Sequence, residues 1–297
     1  RYSAYLRIAD GCDNRCTYCA IPLIRGNLVS EPIEELVDEA KRLAENGVTE
    51  LTLIAQDTSG YGKDRYGKPM LGELLDRLEQ IDSIRWLRVL YTYPDTVTPE
   101  LIDRFRAGGK IVPYLDMPLQ HTEDDMLRRM HRRGDQAHIK RVLEYVAANA
   151  PEFMLRTTLM VGFPGETEQH FSEMLHFLQD HPFDRVGAFA FSPEEGTAAA
   201  NLPDQVPEEV KQERLARLME TQQPISRARN ERRVGQVVDV LIEGVDNNRY
   251  FGRSYAEAPD VDGKVYLERA DDLAIGSYVP VRLIRAEEYD MIGEMPQ

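Results

Sequence analysis

As far as residue 191, short apolar β-rich runs alternate with amphipathic helical runs, and that alternation leaves few folds open. The candidate strands are Tyr5–Ile8, Glu50–Gln56, Trp86–Thr92, Tyr114–Leu119, Leu155–Phe163 and Arg185–Phe191. Between them lie the helical stretches Pro32–Asn46, Leu71–Ile81, Pro99–Ala107, Gln136–Ala148 and Glu168–Asp180. A strand, a crossover helix and a second strand give parallel pairing, so the pattern predicts an α/β fold. Six such strands predict a partial, open βα barrel of TIM-like type rather than a closed eightfold one. Local signals agree. Ser30 stands ahead of the first helix as a candidate cap, Gly47 follows it as a left-handed stop, and Pro99 sits in a first turn after Thr98.

Pro207–Arg233 continues as a charge-rich helical stretch, interrupted near Pro224. After Gly235 the period changes. Val237–Ile242, Arg249–Ser254, Lys264–Leu267 and Val279–Arg285 read as short strands, broken by glycines and by clusters such as Asp246-Asn247-Asn248. The expectation is a small antiparallel β-barrel, OB-like, and hence two domains at 1–232 and 233–297.

The chain has three cysteines, all within Gly11-Cys12-Asp13-Asn14-Arg15-Cys16-Thr17-Tyr18-Cys19. Three thiolates at this C-x3-C-x2-C spacing can hold three irons of a cubic four-iron cluster and leave the fourth iron open. A structural zinc ion would need a fourth protein ligand. The six histidines (His121, His131, His138, His170, His176, His181) keep that alternative open, although all lie far along the chain. An odd number of closely spaced cysteines argues against a disulfide framework. Incidental clustering is the remaining alternative.

Composition narrows the classes. At 297 residues and 42% hydrophobic content there is material for a sizeable core. No run approaches the roughly 20 apolar residues of a membrane span, and Arg1-Tyr2-Ser3-Ala4-Tyr5 carries no signal-peptide pattern. Reduced thiols point to the cytoplasm. Because Arg1 opens the chain and Tyr5 already reads as strand interior, the sequence is expected to be a fragment without its natural N-terminus. The net charge of −15 favours a basic protein or a small substrate over nucleic acid, though a local basic patch can hide in an acidic total.

Other polar residues gather at predicted carboxyl ends of strands, where βα barrels bind ligands. Gln56 and Asp57 open the loop through Gly62, with an ordinary turn as the alternative. Asp116, Gln120 and His121 follow the fourth strand; buried there they would need partners, and His121 alone can be a satisfied structural histidine. Arg156 starts the fifth strand, where it can meet a ligand or pair within the barrel. Gly162 and Gly165 would let backbone approach a ligand, and Thr167 can cap the next helix.

The cysteine loop resembles that of radical S-adenosylmethionine (SAM) enzymes. In these, the resemblance implies, the open iron binds the amino and carboxylate groups of SAM, and one electron releases a 5′-deoxyadenosyl radical. The whole chain resembles the methylthiotransferases, through Ile21-Pro22, Arg25-Gly26 and Gly162-Phe163-Pro164-Gly165-Glu166-Thr167, and its second domain is similar to the TRAM module. Asp10-Gly11-Cys12-Asp13, Leu115 to His121 and Arg156-Thr157-Thr158 match the ribosomal-protein (RimO-type) branch better than the tRNA branch. That branch adds a methylthio group to the β-carbon of an aspartate in ribosomal protein S-twelve; the alternative is an adenosine in tRNA.

The resemblance implies a [4Fe-4S] cluster on Cys12, Cys16 and Cys19, with SAM against the backbone of Tyr18 and near Gln56, Asp57, Gln120 and Arg156. It implies an electron-donor protein, and a preceding domain with a second cluster whose absence would leave this fragment able to bind one cluster and SAM but not to complete methylthiolation. From Val234 to Gln297 there are 13 acidic and 6 basic side chains, a balance of −7. An acidic TRAM domain suits a basic ribosomal protein and makes tRNA an unlikely partner, since phosphate contacts dominate nucleic-acid affinity.

Overall fold

The computed structural model describes residues 2–107, 109–268 and 272–296. Strand β1 (Ser3–Arg7) leads into a two-residue antiparallel ladder between β2 (Ala9–Asp10) and β3 (Val29–Ser30), which brackets the cysteine loop and the one-turn helix α1 (Ile21–Ile24). Helix α2 (Ile33–Glu45) carries the chain to β4 (Glu50–Ile54). Helices α3 (Lys63–Tyr66) and α4 (Leu71–Glu79) carry it to β5 (Trp86–Val89). These strands form a parallel sheet in the order β1-β4-β5.

After α5 (Pro99–Ala107) come β6 (Tyr114–Asp116), α6 (Asp124–Arg129), α7 (Gln136–Asn149), β7 (Met154–Val161), α8 (Glu168–Asp180) and β8 (Arg185–Ala190). The second parallel sheet runs β6-β7-β8 and meets the first through the bridge between Leu87 and Ile111. Among the described residues β1 and β8 have no ladder between them, so the barrel is open, as the alternation predicts.

Pleating divides each strand into two faces. Leu6, Leu53 and Val89 are registered neighbours and pack into the core with Leu36 and Leu74 of the outer helices. Tyr5, Thr52 and Arg88 form the next register row, on the opposite face, inside the barrel. A polar barrel interior needs partners, and the C-terminal module supplies them.

That module follows α9 (Glu208–Glu231) and consists of β9 (Val237–Asp246), β10 (Arg249–Arg253), β11 (Val265–Leu267), β12 (Tyr278–Ala286) and β13 (Met291–Glu294). They close a barrel in the order β10-β11-β13-β12-β9 around Val240, Ile242, Val265, Val281, Leu283 and Met291. Asn247 and Asn248 both take positive φ (48° and 63°), the geometry of a tight hairpin between β9 and β10.

The end of β10 and the segment after it seat themselves in the amino-terminal mouth of the larger barrel. Arg253 donates to both oxygens of fully buried Glu50 at 3.0 and 2.6 Å, and Arg88 stands 3.5 Å from the same carboxylate. Glu257, also buried, pairs with Arg233 at 2.6 Å and Arg185 at 3.7 Å. Arg88 donates to the carbonyl of Tyr255, and Tyr114 donates to Asp262. The second domain is thus the floor of the first.

Several expectations need correction. Helix α9 passes through Pro224 without interruption. The C-terminal barrel is not wholly antiparallel, because β11 and β13 pair in parallel, and β13 was not anticipated. Ser30 does not cap α2, whose N-cap is Pro32; it lies in β3 and its hydroxyl donates to Asp64 at 2.6 Å. Thr167 does cap α8, in a capping box with His170. Strands β5 and β6 stop short of Thr92 and Leu119. The chain turns left-handed at Tyr91 (φ 60°) and at Gln120 (φ 70°), leaving polar carboxyl ends free to line a cavity.

Candidate cofactor site

The cysteine loop is shaped by its neighbours in sequence and then pinned by distant ones. Gly11 has φ 71°, and a Cβ there would lie 2.0 Å from the carbonyl oxygen of Asn27, so only glycine lets the loop fold back. Cys12 N–H donates to Gly26, and Cys19 N–H closes a turn on Cys16. Thr17 is tied to the end of α6 through its N–H to Met130 and its hydroxyl to Arg129. Asn14 donates to Asp57 at 2.8 Å, which joins the loop to the carboxyl end of β4.

The three free cysteines are half-buried and line one wall of a cavity of about 370 Å³. Tyr18, Gln56 and Gln120 line it as well. So do Tyr91, Thr92 and Tyr93, which follow β5, and Arg132, which follows α6. The cavity therefore opens at the carboxyl ends of β4, β5 and β6, and its volume is that of a small-molecule site. Burial raises the thiol pKa of Cys12 and of Cys19, so thiolates there need a compensating positive charge such as metal.

Two side chains reach the sulfur of Cys16. The Tyr93 hydroxyl lies 3.8 Å from it, and burial pushes that phenol up to about 12. Arg132 Nη1 lies 3.9 Å from the same sulfur and donates to the Tyr18 hydroxyl at 3.1 Å, while its guanidinium stacks 4.3 Å over the Tyr93 ring. Arg132 is the one Lys or Arg among the described residues lining the cavity. The Oε1 atom of Gln120 is buried there without a partner. An orphaned acceptor in a cavity walled by thiols fits a polar ligand at that position.

Among the described residues no three His, Cys, Asp or Glu side chains converge on a common point.

Of the residues singled out from sequence, Cys12, Cys16, Cys19, Tyr18, Gln56 and Gln120 come together. Asp57 lies behind the wall. One oxygen accepts from Ser59 and Gly60, the other from Asn14, so it ties the cysteine loop to the turn after β4. Arg156 does not line this cavity. It sits in the amino-terminal half of β7, pairs with Asp116 at 2.8 Å and Asp262 at 3.8 Å, and lines a separate cavity of about 290 Å³ against the second domain.

His121 is fully buried, accepts from Glu123 N–H, and lies 3.5 Å from Glu166. Gly162 and Gly165 make room for Lys211 and Arg129, not for a ligand: added Cβ atoms would meet those side chains at 2.3 and 2.5 Å. Tyr91, Thr92, Tyr93, Arg132 and Asn14 escaped sequence reasoning. The one available signal was Arg128-Arg129 with Arg132-Arg133, a basic run in an acidic chain.

Comparison with known proteins gives a consistent picture. The model of the radical SAM superfamily matches residues 6–178, and the TRAM domain model matches 234–295. A protein of Moorella thermoacetica named ribosomal protein uS12 methylthiotransferase RimO is 52% identical over 98% of this chain and 67% of its own length. Proteins with the same name from Synechococcus sp. and Clostridioides difficile are 50% and 45% identical, over 98% and 99% of this chain and 64% and 66% of theirs. The chain thus spans about two thirds of the length of these curated relatives. Among solved structures, coproporphyrinogen III oxidase from Escherichia coli aligns with TM-score 0.53 at 19% identity, over 74% of this chain and 53% of that one. Methylornithine synthase aligns with TM-score 0.51 at 16% identity, over 74% and 62%. At those identities the likeness is one of fold.

Proposed function

The chain belongs to the radical SAM superfamily and, within it, to the ribosomal protein uS12 methylthiotransferases, and on that premise we propose that it carries the cofactor-binding and substrate-gripping part of an enzyme that places a methylthio group on the β-carbon of an aspartate in that ribosomal protein. The superfamily uses SAM and a [4Fe-4S] cluster. The observation that carries the reading is the meeting of three thiols, an unpartnered amide oxygen and one cation around a single cavity at the carboxyl ends of the strands.

Cys12, Cys16 and Cys19 would hold the cluster, and Tyr18, Gln56 and Gln120 would face SAM. When bound, the pair supplies a carbon-centred radical through one-electron cleavage of a carbon–sulfur bond. This chain's own residues bind, orient and shield. Arg132, fixed by Tyr18 and Tyr93, supplies a cation for the ligand carboxylate. Asp57 holds Asn14 and through it the loop. Tyr91 and Tyr93 wall the cavity.

The second domain presents Asp239, Asp246, Asp260, Asp272, Glu287 and Glu294 to solvent, a surface suited to a basic protein and unsuited to tRNA phosphates. An electron-donor protein completes the cycle, and the compartment is the cytoplasm. Among the described residues no helix is long and apolar enough to cross a membrane.

The test is anaerobic reconstitution followed by electron paramagnetic resonance of the reduced protein with and without SAM. About four irons per chain and a signal altered by SAM are expected. Zinc with no cluster signal would overturn the reading. Binding assays with the ribosomal protein and with tRNA, at several salt concentrations, then separate the two branches.

A further inference from the structure

Asp262 belongs to the second domain, yet it begins a chain of contacts that ends in the wall of the cofactor cavity. Its side chain is fixed on one side by the Tyr114 hydroxyl and by the N–H of Ala258 at 2.8 Å. Its other oxygen lies 3.8 Å from Nε of Arg156. Nη1 of Arg156 donates to Oδ1 of Asp116 at 2.8 Å. Asp116 is fully buried, and its Oδ2 accepts from the N–H of Tyr91 at 2.9 Å, while its main-chain oxygen accepts from both the N–H and the hydroxyl of Thr92. Tyr91 and Thr92 line the cavity, and the next residue, Tyr93, reaches the sulfur of Cys16.

Tyr91 is where such a chain has leverage. It is a bulky residue with φ 60°, a conformation that persists only where the surroundings hold it. Part of the hold is the Asp116 carboxylate. That carboxylate has no solvent, so its charge and orientation depend on Arg156. Arg156 is 14% exposed and spans two carboxylates, one from each domain. The outer carboxylate is the second of the two counter-charges that fix the guanidinium, so its loss changes how Arg156 is held against Asp116.

We propose that Asp262 is a positioning residue for the cofactor cavity, acting through Arg156 and Asp116 on the backbone of Tyr91. The inference rests on the reading that the cavity binds SAM. It makes the second domain more than a gripping surface: its seat in the barrel mouth sets the shape of the cofactor wall. Docking as such does not depend on Asp262, because the Glu50–Arg253 and Arg185–Glu257 pairs cross between the domains independently.

The experiment uses the full chain, reconstituted anaerobically. Iron content, melting temperature, the dissociation constant for SAM by equilibrium dialysis, and the SAM-induced change in the paramagnetic signal are compared among variants. Asp262→Asn is expected to load iron normally and to weaken SAM binding by about tenfold, within the range that packed networks transmit. Arg156→Lys keeps the charge but cannot span two carboxylates, so it should give the same loss, and it carries the test if Asp262→Asn fails to load iron. The double variant should be no worse than Arg156→Lys alone, as members of one path are non-additive. Arg85→Ala removes an exposed inter-domain pair with Asp239 away from this path and should leave SAM affinity unchanged. Wild-type affinity and signal in both path variants would overturn the proposal, as would an equal loss in Arg85→Ala. A wild-type protein with no response to SAM would instead sink the functional reading.

Discussion

Asp57 illustrates how much a single carboxylate near the cavity can organise. One oxygen organises the turn at Ser59 and Gly60, and the other reaches Asn14 in the cysteine loop. Asp57→Ala leaves those donors unpaired, at about 1–3 kcal/mol for a buried one. Iron retained per chain after reconstitution and desalting should fall well below wild type, with a smaller change in melting temperature. Equal iron retention would show that the loop holds itself. Gly162 makes the complementary point about space. Its φ of 72° and the nearness of Lys211 Cγ leave no room for a methyl group. Gly162→Ala should destabilise the protein by about 1–3 kcal/mol, read by thermal unfolding, while SAM affinity stays close to wild type because the position does not line the cavity.

At the scale of elements, α9 runs through Pro224 because tertiary bonds outweigh the missing helical one. On either side of the exposed proline, Gln222 donates to the carbonyl of Phe183, Ser226 to that of Asp184, and Arg229 clamps the Asp184 carboxylate. Pro224→Ala should therefore stabilise the chain, by up to about 3 kcal/mol; an unchanged melting temperature would mean that the helix has already relaxed around the ring. The same contrast between local and distant causes governs what could be read in the sequence. Helices and strands were legible because their periods are local, and the cysteine loop was legible because all its ligands lie together. Tyr93 and Arg132 were not, since they meet Cys16 from 77 and 116 positions away. Strands β5 and β6 were overextended because nothing in their apolar runs announces the left-handed turns at Tyr91 and Gln120. Arg156 looked like a ligand contact because its partner Asp262 comes from the other domain.

For the whole molecule, the buried ion pairs of the barrel floor set an acid limit. Arg233 and Arg185 outweigh burial and hold the carboxyl of Glu257 down at about 2, below its ordinary 4.5. A depressed carboxylate contributes stability that is fully present above the unfolded value and lost as pH falls through the folded one. The melting temperature should thus hold above about pH 4.5 and decline from there toward pH 2, and Glu257→Gln should flatten that decline. Arg233→Met leaves Glu257 its bonds from Ser254 but only the more distant Arg185 as counter-charge, and should cost about 3–5 kcal/mol as a broken buried pair. Because the polar interior of the open barrel is closed by Arg253, Glu257 and Asp262, the two regions that sequence models match separately are unlike interchangeable parts. A chimera that exchanges the C-terminal module between relatives will be functional only if the donor's module finds equivalents of Glu50, Arg88, Tyr114, Arg156 and Arg185 waiting in the recipient. The portable unit is the module together with its socket.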